Sequence, residues 1–223
     1  MSVKLISYTQ PSSEFLEENP NISDIQELVA YCARVSNPSN QHNTKTSDRL
    51  IQYLIDNKHW SPLEMVSVCL EINTTRDIAR QILRHRSFSF QEFSQRYANT
   101  DAFGDDLVIR EARLQDTKNR QNSIEHDDED LENEWDMWQR GVQRSAREAY
   151  QWAIEKGIAK EQARVVLPEG LTPSRIYMNG TMRSWLHYLE IRTHYSTQKE
   201  HRLVAQQCAE QISKIFPMIS EET

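Results

Sequence analysis

Residues 64–73 read EMVSVCLEIN. Val66, Val68, Leu70 and Ile72 occupy every second position. Successive side chains of an extended strand point to opposite faces, so this stretch predicts a half-buried strand. The period then changes. Ile78, Ile82 and Leu83 within 75–85 recur at helical spacing and predict a helix directly after the strand. Residues 3–8 (VKLISY) supply a second short strand. Around these the pattern is helical. A helix is predicted over 24–35, with Ser23 as N-cap, Gln26 completing a capping box, and Ile25, Leu28, Val29 and Cys32 inward. Another covers 47–57, with Leu50, Ile51, Leu54 and Ile55 at core spacing. From Leu131 to Lys156 runs a long amphipathic helix whose buried stripe is expected to be Leu131, Trp135, Trp138, Val142, Ala149 and Trp152 or Ala153. Gly157 stands where a C′ glycine belongs. Shorter helices are predicted over 160–167, stopped by Pro168, over 181–191, and over 198–215 with a box from Thr197 to Glu200. Residues 36–46 and 86–105 read as loops, and 107–110 as a short strand. Strands and helices do not alternate regularly, which argues against a doubly wound sheet. The expected fold class is α/β of the α+β kind, one helix-rich domain over 1–223 around a small mixed or antiparallel sheet.

A chain of 223 residues can bury a core without disulfide or metal staples. No apolar run approaches the about 18 residues that span a bilayer, and Met1–Leu5 lacks a signal-peptide pattern. The expectation is a cytoplasmic protein without membrane partners. Five glycines, at 104, 141, 157, 170 and 180, exclude GxGxxG and GxxxxGK[ST]. Any nucleotide phosphate must therefore be held by side chains. Arginine outnumbers lysine 18 to 8, and its planar fork suits phosphate and carboxylate. The net charge of −7 comes from one segment, 125–134 (EHDDEDLENE), with seven acids and no Lys or Arg. The remainder is neutral, which argues against a basic nucleic-acid binder. The acidic run reads as a solvated loop or the start of a helix. Cys32, Cys69 and Cys208 form no CxxC pair; Cys69 lies inside the alternating strand, Cys32 and Cys208 lie on apolar helix faces, and all three read as core residues.

The chemistry concentrates at 81–97, QILRHRSFSFQEFSQRY. Helical neighbours point about 100° apart, so Arg84, His85 and Arg86 fan out at a helix end. Arg76, Arg80 and Arg84 are spaced to line one stripe, with Gln81 beside Arg84. Ser87, Ser89 and Ser94 alternate with Phe88, Phe90 and Phe93, and Glu92 lies between arginine clusters. That mixture suits a planar, phosphate-bearing ligand. A second cluster is His59-Trp60-Ser61-Pro62-Leu63-Glu64. A third is Arg164, Arg175, Arg183, His187 and Arg192. One alternative is a non-catalytic nucleotide- or RNA-binding module, with the arginine stripe holding phosphates and the phenylalanines stacking on bases. A flavoprotein of other activity is another. A metal hydrolase is the weakest reading, because the seven histidines lack ligand spacing, and no metal site is expected.

The segment 84–97, RHRSFSFQEFSQRY, resembles the RHRxxSxxxxSxRY signature of flavin-dependent thymidylate synthases, the ThyX family. Arg84, His85, Arg86, Ser89, Ser94, Arg96 and Tyr97 occupy the pattern positions. HWSPLE resembles the family's HxSPxEH-like segment and departs from it at Met65. RVVLPEGL and MRSWLHYLEIRTHYSTQKEHR resemble its R-x-x-LP and RS-x-x-x-FL-x-LR…AQ-x-EIR segments. The likeness covers roughly 3–216, and 116–134 looks like an acidic, lineage-variable insertion. The resemblance implies the ThyX fold, a homotetramer with active sites shared between subunits, and reductive methylation of dUMP to dTMP in thymidylate biosynthesis. Methylenetetrahydrofolate would supply the carbon, NADPH the reducing equivalents and FAD the hydride, without a protein cysteine nucleophile. By motif position, the FAD contacts would be His59, Ser61, Glu64, Arg84, His85, Arg86, Ser87, Gln91, Glu92, Arg183 and His187. The dUMP contacts would be Gln81, Arg84, Glu92, Ser94, Gln95, Arg96, Arg164 and Arg192. Gln91 stands where many members have asparagine, and Gln95 replaces a common glycine. Arg96 and Ser94 would hold the nucleotide, with Arg164 from another subunit, and Arg192 would polarise a uracil carbonyl. Ser94 has no evident base and is not expected to act as a nucleophile.

Overall fold

The alternation over 64–73 is realised as a central strand that starts only at Ser67, Glu64 ending a 3-10 turn, and runs on to Thr75. The computed structural model describes residues 1–97 and 108–219. Their elements, in chain order, are β1 (Ser2–Tyr8), α1 (Ser13–Glu18), α2 (Ile25–Ala33), α3 (Ser47–Asp56), β2 (Ser67–Thr75), α4 (Arg76–Ile82), β3 (Ser89–Glu92), β4 (Leu114–Gln115), β5 (Ser123–Ile124), α5 (Glu129–Glu155), α6 (Lys160–Ala163), β6 (Pro173–Thr181), α7 (Met182–Arg192) and α8 (Lys199–Ser213). Short 3-10 turns cover Pro38–Asn40, Ser61–Glu64 and Arg164–Val166. The main sheet has the order β1-β2-β6-β3, and every pairing is antiparallel.

Val68, Leu70 and Ile72 of β2 are fully buried, as are Ile176 and Met178 of β6. Each such side chain contributes about 1.5–3 kcal/mol when removed from water. Helices α4, α7 and α8 cover this face. The opposite face is polar: Tyr177 donates to Glu71 at 2.8 Å, and Arg175 Nε to Asn73 Oδ1 at 2.8 Å. One dry and one wet face is the usual economy of an antiparallel sheet.

Strand β6 spans residues whose apolar spacing predicts no element, except Thr181, the expected first residue of the 181–191 helix. Its inward positions are Ser174, Ile176, Met178 and Gly180, so only two large apolar groups mark the period. Gly180 leaves room for Phe88, whose ring a Cβ there would strike. β3 likewise lies within the expected 86–105 loop, of which 98–105 fall outside the described residues. Of the strand expected over 107–110, residue 107 lies outside the described residues and 108–110 form none. The Arg110 backbone instead pairs both ways with the Gln139 side chain, at 2.9 and 2.8 Å.

Two caps differ from expectation. Asp24, rather than Ser23, caps α2 by accepting from Glu27 N–H, and Glu27 reaches back to Ser23 N. The Thr197–Glu200 box does not form: Thr197 donates to the Ile191 carbonyl, and Glu200 turns to Arg110 and Arg113. Gly157 does close α5, at φ +76. Asp128 caps its start, with Glu129, Asp130 and Glu132 in the first turn, so the acidic run complements a helix N-terminus.

The stripe expected to be buried on α5 is largely exposed. Trp138 retains 60% of its surface, Trp152 57% and Trp135 44%, and Leu131 and Val142 are exposed too. The buried residues are Gln139, Ala146, Tyr150 and Ala153. α5 packs on α6 and the following 3-10 turn rather than on the sheet, so its inner side is a short strip of two alanines, Tyr150 and Gln139 instead of the tryptophan stripe. No helix among the described residues is long and apolar enough to cross a membrane.

Candidate active site

The sheet places two strand-to-helix junctions on its covered face. β2 runs straight into α4, and β6 into α7. Helix α4 stops at Ile82, three residues earlier than predicted. Arg84, His85 and Arg86 therefore fan out in the turn before β3. Thr181 caps α7 by accepting from Ser184 N–H, and Ser184 Oγ donates to the Ser87 carbonyl at 3.2 Å. Phe88 fills the Gly180 notch and packs edge-on against Trp185, with ring centroids 4.8 Å apart. These contacts fasten the motif turn to the start of α7.

At the far end of α7, Arg192 Nε donates to His85 Nε2 at 2.9 Å. A ring nitrogen that accepts carries no proton, so His85 is the neutral Nδ1–H tautomer. Burial, reinforced by the Arg192 charge, lowers its pKa to about 4. Behind this pair, Gln81 donates to Gln198 at 2.8 Å and meets His201 at 3.2 Å. His201 in turn lies 3.1 Å from the Tyr188 hydroxyl. Burial first, then Arg192 and His85, hold His201 at about 3, and burial raises the Tyr188 phenol.

A second cluster gathers near the start of α7. Glu64 pairs with Arg183. Trp60 packs on His187, with centroids 4.6 Å apart. Lys58, at φ +56, ends the turn after α3 and directs the chain into His59, whose ring meets Tyr53. A cavity of about 370 Å³ opens here, lined by Lys58, Trp60, Leu186, His187 and Glu190. Ser61 begins the exposed 3-10 turn beside it.

The third cluster follows β3. Gln91 is exposed opposite Tyr177, and Glu92 accepts from Ser174 Oγ at 3.0 Å. Arg96 N–H reaches Ser94 Oγ at 3.4 Å. Arg96 Nη2 pairs with Glu161 at 3.2 Å, and Arg164 Nε donates to the Glu161 carbonyl at 3.3 Å. Lys160 Nζ donates to the Tyr97 carbonyl. Gln95 is buried at 3% exposure, and its amide nitrogen has no hydrogen-bond partner among the described residues.

The structure thus brings Glu64 to Arg183, His85 to Arg192, and Arg96 to Arg164 through Glu161. Among the described residues no hydrogen bond or ion pair joins these three groups. Glu161, Gln198, Tyr188 and His201 escaped the sequence reading. Glu161 precedes Arg164 by one helical turn, a signal that was available; the Tyr188–His201 contact is tertiary and had none. The expected stripe of Arg76, Arg80 and Arg84 is interrupted, since Arg80 pairs with Glu169 and Arg84 lies past the helix end.

The donor set fits a dinucleotide such as FAD. Arg84 and Arg86 are exposed and have no side-chain partner among the described residues, leaving two unneutralised cations for a diphosphate. No thiol is prepared for nucleophilic attack, because burial raises all of Cys32, Cys69 and Cys208. Among the described residues no three His, Cys, Asp or Glu side chains converge as a metal site requires.

An antiparallel α/β domain with directed arginines, a shielded neutral histidine and no activated thiol defines an enzyme that handles a phosphate-bearing ligand through side chains. The sequence model of the family described as thymidylate synthase complementing protein (Thy1) matches residues 16–218. The chain belongs to this family, the flavin-dependent thymidylate synthases. Over 221 residues it is 48% identical to a probable flavin-dependent thymidylate synthase of Paramecium bursaria Chlorella virus 1, covering 99% of this chain and 98% of the relative. Over 220 residues it is 45% identical to the flavin-dependent thymidylate synthase of Synechocystis sp., with the same coverages. The crystal structure of a UMP/dUMP methylase, PolB of Streptomyces cacaoi, bound with 5-Br dUMP, aligns with a TM-score of 0.81 at 26% identity, covering 99% of this chain and 93% of that one.

Proposed function

We propose that the chain converts dUMP to dTMP by reductive methylation, with methylenetetrahydrofolate as carbon donor and NADPH as reductant, as a cytoplasmic homotetramer. The observation that carries the reading is the meeting of two distant motif segments at Arg192, His85 and Gln81. FAD, when bound, supplies the hydride that a protein side chain cannot. Arg84, Arg86 and Ser87, with His85, hold its phosphates; His59, Ser61, Glu64, Arg183 and His187 line the remainder, and Gln91 and Glu92 close it from β3. Gln81, Glu92, Ser94, Gln95, Arg96 and Arg192 receive dUMP, with Arg84 shared. Arg164 reaches a neighbouring subunit's nucleotide, and Glu161 steadies Arg96 until a phosphate replaces it.

Arg192 stabilises negative charge on a uracil carbonyl. The neutral His85 ring accepts from its Nε and so fixes the guanidinium plane, leaving the Nη groups for substrate. A preorganised donor of this kind is worth about 10²–10³ in rate. The tetramer is supported by the exposed apolar stripe of α5, Trp135, Trp138, Val142 and Trp152, since contiguous exposed apolar surface marks interaction sites. Residues 1–223 act as one domain, with 116–134 as an appended acidic segment.

The test is the visible spectrum of the purified protein, taken anaerobically before and after NADPH and then dUMP. The expected result is a flavin band that bleaches faster with dUMP present, together with dTMP formation. Protein that takes up no flavin when incubated with FAD would overturn the reading.

A further inference from the structure

Behind Arg192 and His85 runs a chain of polar groups, buried at Tyr188, His201 and Glu200 and half-buried at Gln81 and Gln198, whose donors and acceptors follow from one end. Glu200 is buried and ion-paired to Arg113 at 2.6 Å and Arg110 at 3.4 Å. Burial opposes its charge, but the Gln198 hydrogen bond, its own backbone N–H and the two arginines outweigh that and hold its carboxyl below the usual range. An ionised carboxylate only accepts. Gln198 Nε2, 2.8 Å from Glu200 Oε2, is therefore the donor, and Gln198 Oε1 faces Gln81. Gln81 must then donate through Nε2, which turns its Oε1 towards His201 Nδ1. That nitrogen must carry the proton. The neutral ring leaves Nε2 as an acceptor, and the Tyr188 hydroxyl donates to it. Protons point one way along the chain, from Tyr188 through His201, Gln81 and Gln198 to Glu200.

This fixes what Gln81 can offer a ligand. Its oxygen is committed to His201 and one N–H to Gln198. The second N–H has no partner among the described residues. An amide is nearly symmetric in shape, so a half-turn about its last bond would exchange oxygen for nitrogen; the N–H of His201 is one of the two bonds that forbid it.

We propose that His201, held by Tyr188, is a positioning residue that keeps the Gln81 amide with N–H outward, so that the pyrimidine site takes the C4 carbonyl of uracil and rejects the C4 amino group of cytosine. The inference rests on the reading of Gln81 as a dUMP contact. Cytosine would set a donor against a donor, and a polar group left unpaired on binding costs heavily.

The experiment measures dUMP and dCMP dissociation constants by calorimetry on the FAD-loaded protein and on His201→Leu, His201→Asn and Tyr188→Phe, each checked for flavin content and cooperative unfolding. His201→Leu is expected to lower the preference for dUMP over dCMP about tenfold. His201→Asn, whose amide N–H can stand where Nδ1–H stood, restores it. Tyr188→Phe lowers it about two- to threefold, and carries the test alone if His201→Leu does not fold. A purely structural role would lower both affinities together. An unchanged ratio in His201→Leu and Tyr188→Phe would overturn the inference. Wild-type protein that binds neither nucleotide would instead overturn the functional reading beneath it.

Discussion

Helices α5 and α7 use their aromatic residues in opposite ways. On α7, Trp185, Tyr188 and Leu189 are almost completely buried, and Trp185 Nε1 donates to the Val68 carbonyl at 3.0 Å. On α5, Trp135, Trp138 and Trp152 face solvent within the single chain. The first helix is fixed by its own sheet. The second carries an apolar stripe that the described residues leave exposed. Apolar spacing therefore tells that a face is destined to be buried, but not by whom.

The largest expected effect separates the two helices directly. Trp185→Ala should cost about 3–5 kcal/mol of subunit stability, at any protein concentration. Trp135→Ala combined with Trp138→Ala should leave subunit unfolding nearly unchanged yet make the proposed tetramer dissociate on dilution. Sedimentation and denaturant titration read both, and a concentration-independent loss from the α5 pair would erase the contrast.

Next in size is Arg192→Ala, at the end of α7. It should lower dTMP formation about 10²–10³-fold with flavin retained. Wild-type-like turnover would remove Arg192 from the mechanism.

Acid should act on the α7 side of the molecule. His85 and His201 titrate at about 4 and about 3 in the folded chain, against about 6.5 in an unfolded one. The unfolded state binds the extra protons as pH falls below about 6.5, so the stability these rings confer is complete above that value and lost down through about 4 and then 3. Urea midpoints between pH 7 and 4 should fall accordingly; a flat profile would contradict the shielding of both rings.

The smallest effect is expected for Glu161→Gln. Its bond to Arg96 is exposed, and such pairs contribute about 0–1 kcal/mol. The dUMP dissociation constant should tighten no more than about threefold, as Arg96 is released.

Strand β2 is legible because Val68, Leu70 and Ile72 mark its period without interruption, with Val66 in phase just before it. β6 is not, because serine and glycine take two of its inward positions. The two caps depart from the sequence pattern for different reasons: at α2 the adjacent Asp24 can cap as well as Ser23 and does so by a local bond to Glu27, whereas at α8 Arg110 and Arg113 draw Glu200 away and no side chain caps the helix. The site fared similarly. The motif residues lay in the sequence at 81–97, but their three-way separation among clusters is a property of the sheet. The hydrogen bond from Tyr188 to His201 links α7 to α8 and has no local signature.

The notch at Gly180 has a consequence for how this sequence can drift. Phe88 occupies the space that any side chain at 180 would need, and Phe88 is flanked by Ser87 and Ser89 of the motif turn. The two positions are therefore tied, tooth and socket. A larger residue at 180 would be tolerated only with a smaller one at 88, and either change alone would shift the turn that presents Arg84 and Arg86. A residue without a side chain thus restricts which variants of the motif turn the fold can accept.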